Sequence, residues 1–262
     1  MENSLLQKPL LDLFQDLHGI SVDENAVTVA SGELPEAIAR LGKEDNRPLL
    51  VLCPPGVNPE LFLNVTRQVA ETITKYFPFN KNIFDWIILS LQEKPERRAE
   101  VIKKIFIPGT DLSTCFDRKF PAEALGLLFS HTVQIFMKHY VKKVLPALDL
   151  DQWDKGECPI CGGRPNLALL EKDNKGKYLH CGYCEIKWRA RRLGCPFCPN
   201  PESRYLFIEN TEKYRVYVCD QCGGYIKTIF AEKAGDGELD LLLEDVNSME
   251  MDLFALKEGY HK

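Results

Sequence analysis

Eight of the ten cysteines fall between residues 158 and 222 as four Cys-x-x-Cys pairs: Cys158/Cys161, Cys181/Cys184, Cys195/Cys198 and Cys219/Cys222. A Cys-x-x-Cys turn aims two sulfurs at one point. Two such turns about twenty residues apart supply the four soft thiolates of a tetrahedral zinc or iron site. The pairs also repeat: Cys158/Cys161 recur after 37 residues as Cys195/Cys198, and Cys181/Cys184 after 38 as Cys219/Cys222. Each copy reads Cys-Pro-x-Cys, a polar hairpin, then Cys-x-x-Cys trailed by an Ile-Lys step. The repeat predicts two tandem ribbons, Cys158 to Cys184 and Cys195 to Cys222, each closing its own site around one iron or zinc ion. A cross-braced pairing of the same cysteines is compatible with the spacing. Disulfides and a thioredoxin-like redox pair fit less well, since there is no signal peptide and no apolar βαβ setting.

Beyond the cysteines, 262 residues leave room for one ordinary domain beside a small metal-stapled one. The 45% apolar and 27% charged content is that of a globular chain, and no run approaches 18 apolar residues, which predicts no membrane insertion. Met1 to Leu17 reads as amphipathic, without a basic region followed by an apolar core. The expectation is a cytoplasmic protein whose thiols stay reduced. A net charge of −5 gives no overall nucleic-acid signal.

Residues 1–150 read as helical. Pro9 to Phe14 opens a first helix, and Leu34 to Leu41 a second with Pro35 in its first turn. Leu49 to Cys53 is a short apolar run closed by Pro54-Pro55-Gly56. Asn58 caps the next helix with Pro59 at its first position, and Leu61, Val65, Val69, Ile73 and Tyr76 recur at helical spacing until Pro78. Phe84 to Leu91 and Arg98 to Phe106 predict two more, separated by Pro95 and stopped by Pro108-Gly109. The clearest helix runs from Pro121 to Leu145, with Leu125, Leu128/Phe129, Thr132/Val133, Phe136 and Tyr140 on its buried face. Cys53 and Cys115 have no partner at ligand spacing and read as small apolar residues. His131 and His139 read as structural histidines. No phosphate loop, nucleophile motif or His-x-x-x-His marks this region.

Asp149 to Gln152 is a polar link into the ribbons. Gly162 and Gly223 follow the second cysteine of their knuckles, where glycine permits φ > 0. Glu185 and Pro199 stand there in the other two. Proline has no N–H and cannot take φ > 0, so the Cys195/Cys198 turn must be built differently. Lys187-Trp188-Arg189-Ala190-Arg191-Arg192 joins the ribbons. Alternation sends Lys187, Arg189 and Arg191 to one face and Trp188, Ala190 and Arg192 to the other. These cations serve either to offset the charge of the thiolate sites or to meet an acidic partner or nucleic acid. From Asp236 to Glu258 eight acids face one base, Lys257, along an apolar pattern that predicts one or two acidic helices. They pack either on the protein's own core or on a partner. The chain thus divides into a helical domain (1–150), a first ribbon (151–191), a second (192–232) and an acidic helical tail (233–262).

Cys158-Pro159-Ile160-Cys161-Gly162-Gly163-Arg164-Pro165, Tyr178-Leu179-His180-Cys181-x-x-Cys184-Glu185-x-x-Trp188, Cys195-Pro196-x-Cys198 and Cys219-Asp220-x-Cys222-Gly223-Gly224-Tyr225-Ile226-Lys227 together resemble the formate dehydrogenase accessory protein family (FdhE type). The ending Glu258-Gly259-Tyr260 is similar too. The resemblance is specific over about residues 156–260; earlier it rests on length and helical character. It implies an α+β fold: a mostly helical N-terminal domain, then two rubredoxin-like ribbons holding iron or zinc. It implies a non-enzymatic cytoplasmic assembly factor that takes no small-molecule substrate. The partner would be the molybdenum- or tungsten-dependent catalytic subunit of a respiratory formate dehydrogenase, met before its export. Two other classes compete with that expectation: a zinc-ribbon protein that binds nucleic acid, favoured by Trp188 and its arginines but opposed by the acidic tail, and a rubredoxin-like electron carrier.

Overall fold

A computed structural model describes residues 3–41, 47–107, 109–172, 176–206, 208, 212–235 and 239–262. Pro108 and the acids at 236 and 238 lie outside the described residues. The architecture is α+β, and the chain divides into two compact units, Met1–Leu148 and Asp149–Lys262.

The first unit is helical: α1 (Asn3–Gly19), α2 (Leu34–Arg40), α3 (Leu49–Leu52), α4 (Pro59–Tyr76), α5 (Lys81–Glu93), α6 (Pro95–Ile105) and α7 (Ala122–Val144), with Val27–Thr28 (β1) paired antiparallel to Gly56–Val57 (β2). Asn58 caps α4, its Oδ1 accepting from the Glu60 and Leu61 amides at 2.9 and 3.1 Å. α4 is packed on by α1, α5, α6 and α7. That explains a departure from the single stripe expected along it. Leu61 and Tyr76 stay half-buried, while Phe62, Leu63, Thr66 and Ala70 join Val65, Val69 and Ile73 inside. A helix surrounded by others buries more than one face. The inward face of α7 is as expected, and Phe62 stacks between Phe129 and Phe136 with ring centres 6.3 and 6.1 Å away. Tyr140 donates its hydroxyl to the Cys53 carbonyl at 2.6 Å, which fastens the 49–53 run to α7. α1 begins ahead of Pro9, so that proline lies inside the helix rather than opening it. His131 is half-buried, 3.0 Å from the Gln134 side chain and edge-on to Phe14. Burial pushes its pKa down, and no metal-ligating cluster among the described residues includes it.

The second unit is built on one six-stranded sheet. The first ribbon contributes β3 (Leu167–Leu170), β4 (Lys177–His180) and β5 (Lys187–Ala190); the second contributes β6 (Arg204–Leu206), β7 (Tyr214–Val218) and β8 (Tyr225–Phe230). The strand order is β5-β4-β3-β8-β7-β6. Pairing is antiparallel within each ribbon. Between ribbons β3 runs parallel to β8, with Leu167 opposite Lys227 and Leu169 opposite Ile229. The first strand of one copy thus meets the third strand of the next, a head-to-tail join of repeated modules.

The acidic tail packs on its own sheet. α8 (Leu241–Asn247) and α9 (Met249–Lys257) cover Leu206, Val216, Val218 and Tyr225 with Met251 and Ala255, and Leu167, Leu169 and Ile229 with Leu241. One buried cation clamps it there. Lys227, 0% exposed, reaches Asp245 and Asp252 at 2.6 Å each, and Asp252 also accepts from Tyr225 and pairs with Lys262. Burial opposes ionisation of Asp252, but Lys227 and then Lys262 outweigh it and hold its carboxyl below the usual carboxylate range. Tyr260 and His261 finish the unit: the His261 amide donates to the Gly223 carbonyl and its own carbonyl accepts from the Tyr225 amide.

Candidate metal centres

The four cysteine pairs meet in twos. Cys158, Cys161, Cys181 and Cys184 form one cluster, and Cys195, Cys198, Cys219 and Cys222 form another, with the sulfurs of each all within 4.8 Å of one another. Pairing is therefore within each ribbon, and the cross-braced alternative is set aside. The short approaches are Cys158–Cys184 and Cys161–Cys181 at 3.4 Å, and Cys195–Cys222 and Cys198–Cys219 at 3.6 Å. Disulfide sulfurs lie near 2.05 Å, whereas bonds of about 2.3 Å to a tetrahedral ion space sulfurs about 3.8 Å apart. The donor set and its spacing fit one tetrathiolate ion per cluster.

Each cluster is held by knuckles, and the backbone bonds show how they are made. In all four, the first cysteine's amide donates to the carbonyl five residues on: Cys158 to Gly163, Cys181 to Ile186, Cys195 to Asn200 and Cys219 to Gly224, at 2.9–3.0 Å. In three, a second bond closes the turn, as the residue after the second cysteine donates back to the first. These are Gly162 to Cys158, Glu185 to Cys181 and Gly223 to Cys219, each 2.8 Å. All three donors sit at positive φ, 73° at Gly162, 64° at Glu185 and 69° at Gly223. Glu185 therefore adopts, against its side chain's preference, the conformation its glycine counterparts take freely. Pro199 has no amide to donate, and its turn is made differently, as the sequence requires.

The two clusters differ in exposure. All four sulfur-bearing residues of the first are buried, whereas Cys198 and Cys222 of the second are half-buried. Thiol chemistry follows. In the first cluster burial pushes Cys158 well up, while sulfur donors from Cys158, Cys161 and Cys184 hold Cys181 well down. In the second, burial pushes Cys195 up to about 12. Burial also resists ionisation at Cys219, but the Cys222 amide, the Asn200 side chain and the Gln221 amide bring that thiol to about 6. A dication would stabilise all four thiolates at once, and binding it releases the remaining thiol protons. Asn200, whose Nδ2 lies 3.5 Å from Cys219 Sγ, is a supporting group that cysteine spacing alone does not reveal.

The ribbons touch beside the clusters. A Cβ built on Gly156 would stand 1.9 Å from the Pro196 carbonyl oxygen, so the chain entering the first site lies directly against the second site's leading knuckle. Arg164 of the first ribbon lies over the Phe197 ring at 5.2 Å. The basic linker splits by role. Lys187 and Arg189 are exposed on β5, and Arg191 turns back to donate to the Cys195 and Cys198 carbonyls at 3.1 and 3.2 Å. Trp188 is 1% exposed and donates its Nε1 proton to the Lys155 carbonyl at 3.0 Å. It is a core residue with no free face for a base, which removes the aromatic half of the nucleic-acid expectation. No helix among the described residues is long and apolar enough to cross a membrane.

Comparison with known proteins agrees with this layout. Residues 157–192 match the family model described as "FdhE, central domain". The chain is 27% identical over 207 residues to the FdhE homologue of Aquifex aeolicus, covering 76% of this chain and 71% of that protein. It is 28% identical over 141 residues to the homologue of Shewanella oneidensis, covering 52% and 44%, and 30% identical over 107 residues to FdhE of Escherichia coli O9:H4, covering 39% and 34%. The match thus spans less than half the length of the last two. The crystal structure of the FdhE protein from Pseudomonas aeruginosa superposes with a TM-score of 0.58 at 21% identity, over 98% of this chain and 82% of that one. That likeness speaks for the fold.

Proposed function

From the match of residues 157–192 to the FdhE central-domain model and the likeness to FdhE homologues, we propose that the chain is an FdhE-type protein, a non-enzymatic assembly factor for a respiratory formate dehydrogenase. It binds the catalytic subunit in the cytoplasm, before that subunit is exported. Cys158, Cys161, Cys181 and Cys184 hold one iron or zinc ion, and Cys195, Cys198, Cys219 and Cys222 hold a second. The carrying observation is the pair of four-sulfur clusters on one continuous sheet. Four thiolates fill a tetrahedral ion and leave no position for a substrate or an activated water. Such an ion fixes shape, so the ribbons act by presenting a surface to another protein. The exposed Lys187 and Arg189 on the edge strand β5 are available to steer an acidic client, which makes association faster at low salt.

The test is direct. Purified protein carrying both ions is titrated with the immature catalytic subunit in a calorimeter, and the gene is deleted in its host. Saturable binding, and loss of formate dehydrogenase activity with its transcript near normal, is the expected result. Activity that survives deletion, with no affinity in either metal state, sinks the reading.

A further inference from the structure

The fourth knuckle lacks a bond that its three sisters have, and another part of the molecule supplies it. Gly162, Glu185 and Gly223 each donate an amide to the carbonyl of their first cysteine. Pro199 occupies the equivalent place and carries no N–H. The Cys195 carbonyl would lose that donor. Instead, Arg191 Nη2 lies 3.1 Å from it and 3.2 Å from the Cys198 carbonyl, bridging both ends of the proline-bearing turn. Arg191 lies four residues ahead of Cys195, on the segment leaving β5 of the first ribbon.

We propose that Arg191 is a positioning residue for the second metal site: its guanidinium stands in for the missing Pro199 amide. The inference rests on the reading of Cys195, Cys198, Cys219 and Cys222 as a metal site. A guanidinium is permanently charged and presents its protons in a fixed fork, so it makes a stronger donor than the amide it replaces. It also joins the two sites. The second holds its leading knuckle only while the first ribbon delivers Arg191 to it. Simple neutralisation of thiolate charge is a different role, because Arg191 contacts carbonyl oxygens and does so where the backbone donor is absent.

Full-length protein loaded with two zinc ions is challenged with a chromogenic chelator, and zinc release is followed for wild type, Arg191→Gln, Pro199→Gly and the double variant. Outer-shell partners of this kind tune metal affinity by roughly 10- to 100-fold. Arg191→Gln should therefore release one of its two ions at least about tenfold faster and leave the other at the wild-type rate. Glycine at 199 can adopt the positive φ of Gly162 and Gly223 and restore the amide without adding charge. The double variant should then return to near the wild-type rate. Wild-type kinetics in Arg191→Gln overturns the proposal. So does a double variant as fast as Arg191→Gln, which would leave charge as the cause. Wild-type protein that binds only the first ion rejects the metal reading of the second cluster itself, a distinguishable result.

Discussion

The two cysteine clusters come from one repeated design, yet they are finished differently. The first is wholly buried and closed by its own backbone, at the expense of one non-glycine residue, Glu185, held at φ 64°. The second leaves Cys198 and Cys222 half-buried, and its leading knuckle is completed by Arg191 and pressed on by Gly156, both from outside its own ribbon. Duplicated modules joined head to tail meet two different neighbourhoods. Here the first site closes its knuckles with its own backbone, and the second draws a donor from the first ribbon.

Removing a ligand breaks the comparison most severely. Cys158→Ser should reduce the metal content from two ions to one and remove an apparent binding energy of roughly 10 kcal/mol from the first ribbon. Because β3 of this ribbon pairs with β8 of the second, the melting temperature of the whole unit should fall. Cys198→Ser, at a half-buried cysteine of the second ribbon, should also leave one ion but a smaller loss in melting temperature. Elemental analysis and calorimetry decide it, and equal losses from the two variants would mean that the sites are energetically equivalent.

Next in size is the clamp that fastens the tail, most of whose apolar partners, Leu206, Val216, Val218 and Tyr225, belong to the second ribbon. Lys227→Met leaves Asp245 and Asp252 without their buried cation and should cost about 3–5 kcal/mol, read in urea unfolding. The same clamp sets an acid limit. The folded pKa of Asp252 is depressed, so its stabilisation is complete above the ordinary carboxylate value of about 4 and is lost as pH falls through the folded value. Acid unfolding of Asp252→Asn should begin from a lower plateau and lack that component.

Gly156→Val tests the dependence of one site on the other. A side chain there strikes the Pro196 backbone, and the overpacking should cost about 1–3 kcal/mol or more. It should also speed metal loss from the second site although residue 156 precedes the first. Unchanged release from the second site would show that the close approach is incidental. The smallest expected effect has the opposite sign. Glu185→Gly relieves the left-handed strain and should stabilise the first ribbon by roughly 1 kcal/mol. A destabilised variant would mean that contacts of the Glu185 side chain outweigh its strained backbone.

The sequence alone determined whatever depends on residues close along the chain. A Cys-x-x-Cys spacing places two sulfurs together regardless of the rest of the molecule, so the eight sulfur positions and their tandem repeat could be read directly. The same locality holds for the Asn58 cap with Pro59 and for the need for a left-handed residue after Cys161 and Cys222. Tertiary structure decided what depends on distant partners. Period 2 placed Trp188 opposite Lys187 and Arg189 but did not say which side the core would take, and the indole is buried. An apolar stripe told that α4 packs, not that four helices surround it. Fusion of the ribbons through parallel β3 and β8 has no sequence signal, because any two strands of suitable composition can pair. Lys227 reads as one more lysine until folding buries it between two tail carboxylates. Pro199 announced that a bond would be missing; only the path of the chain after β5 brought Arg191 to the carbonyl that lacked it.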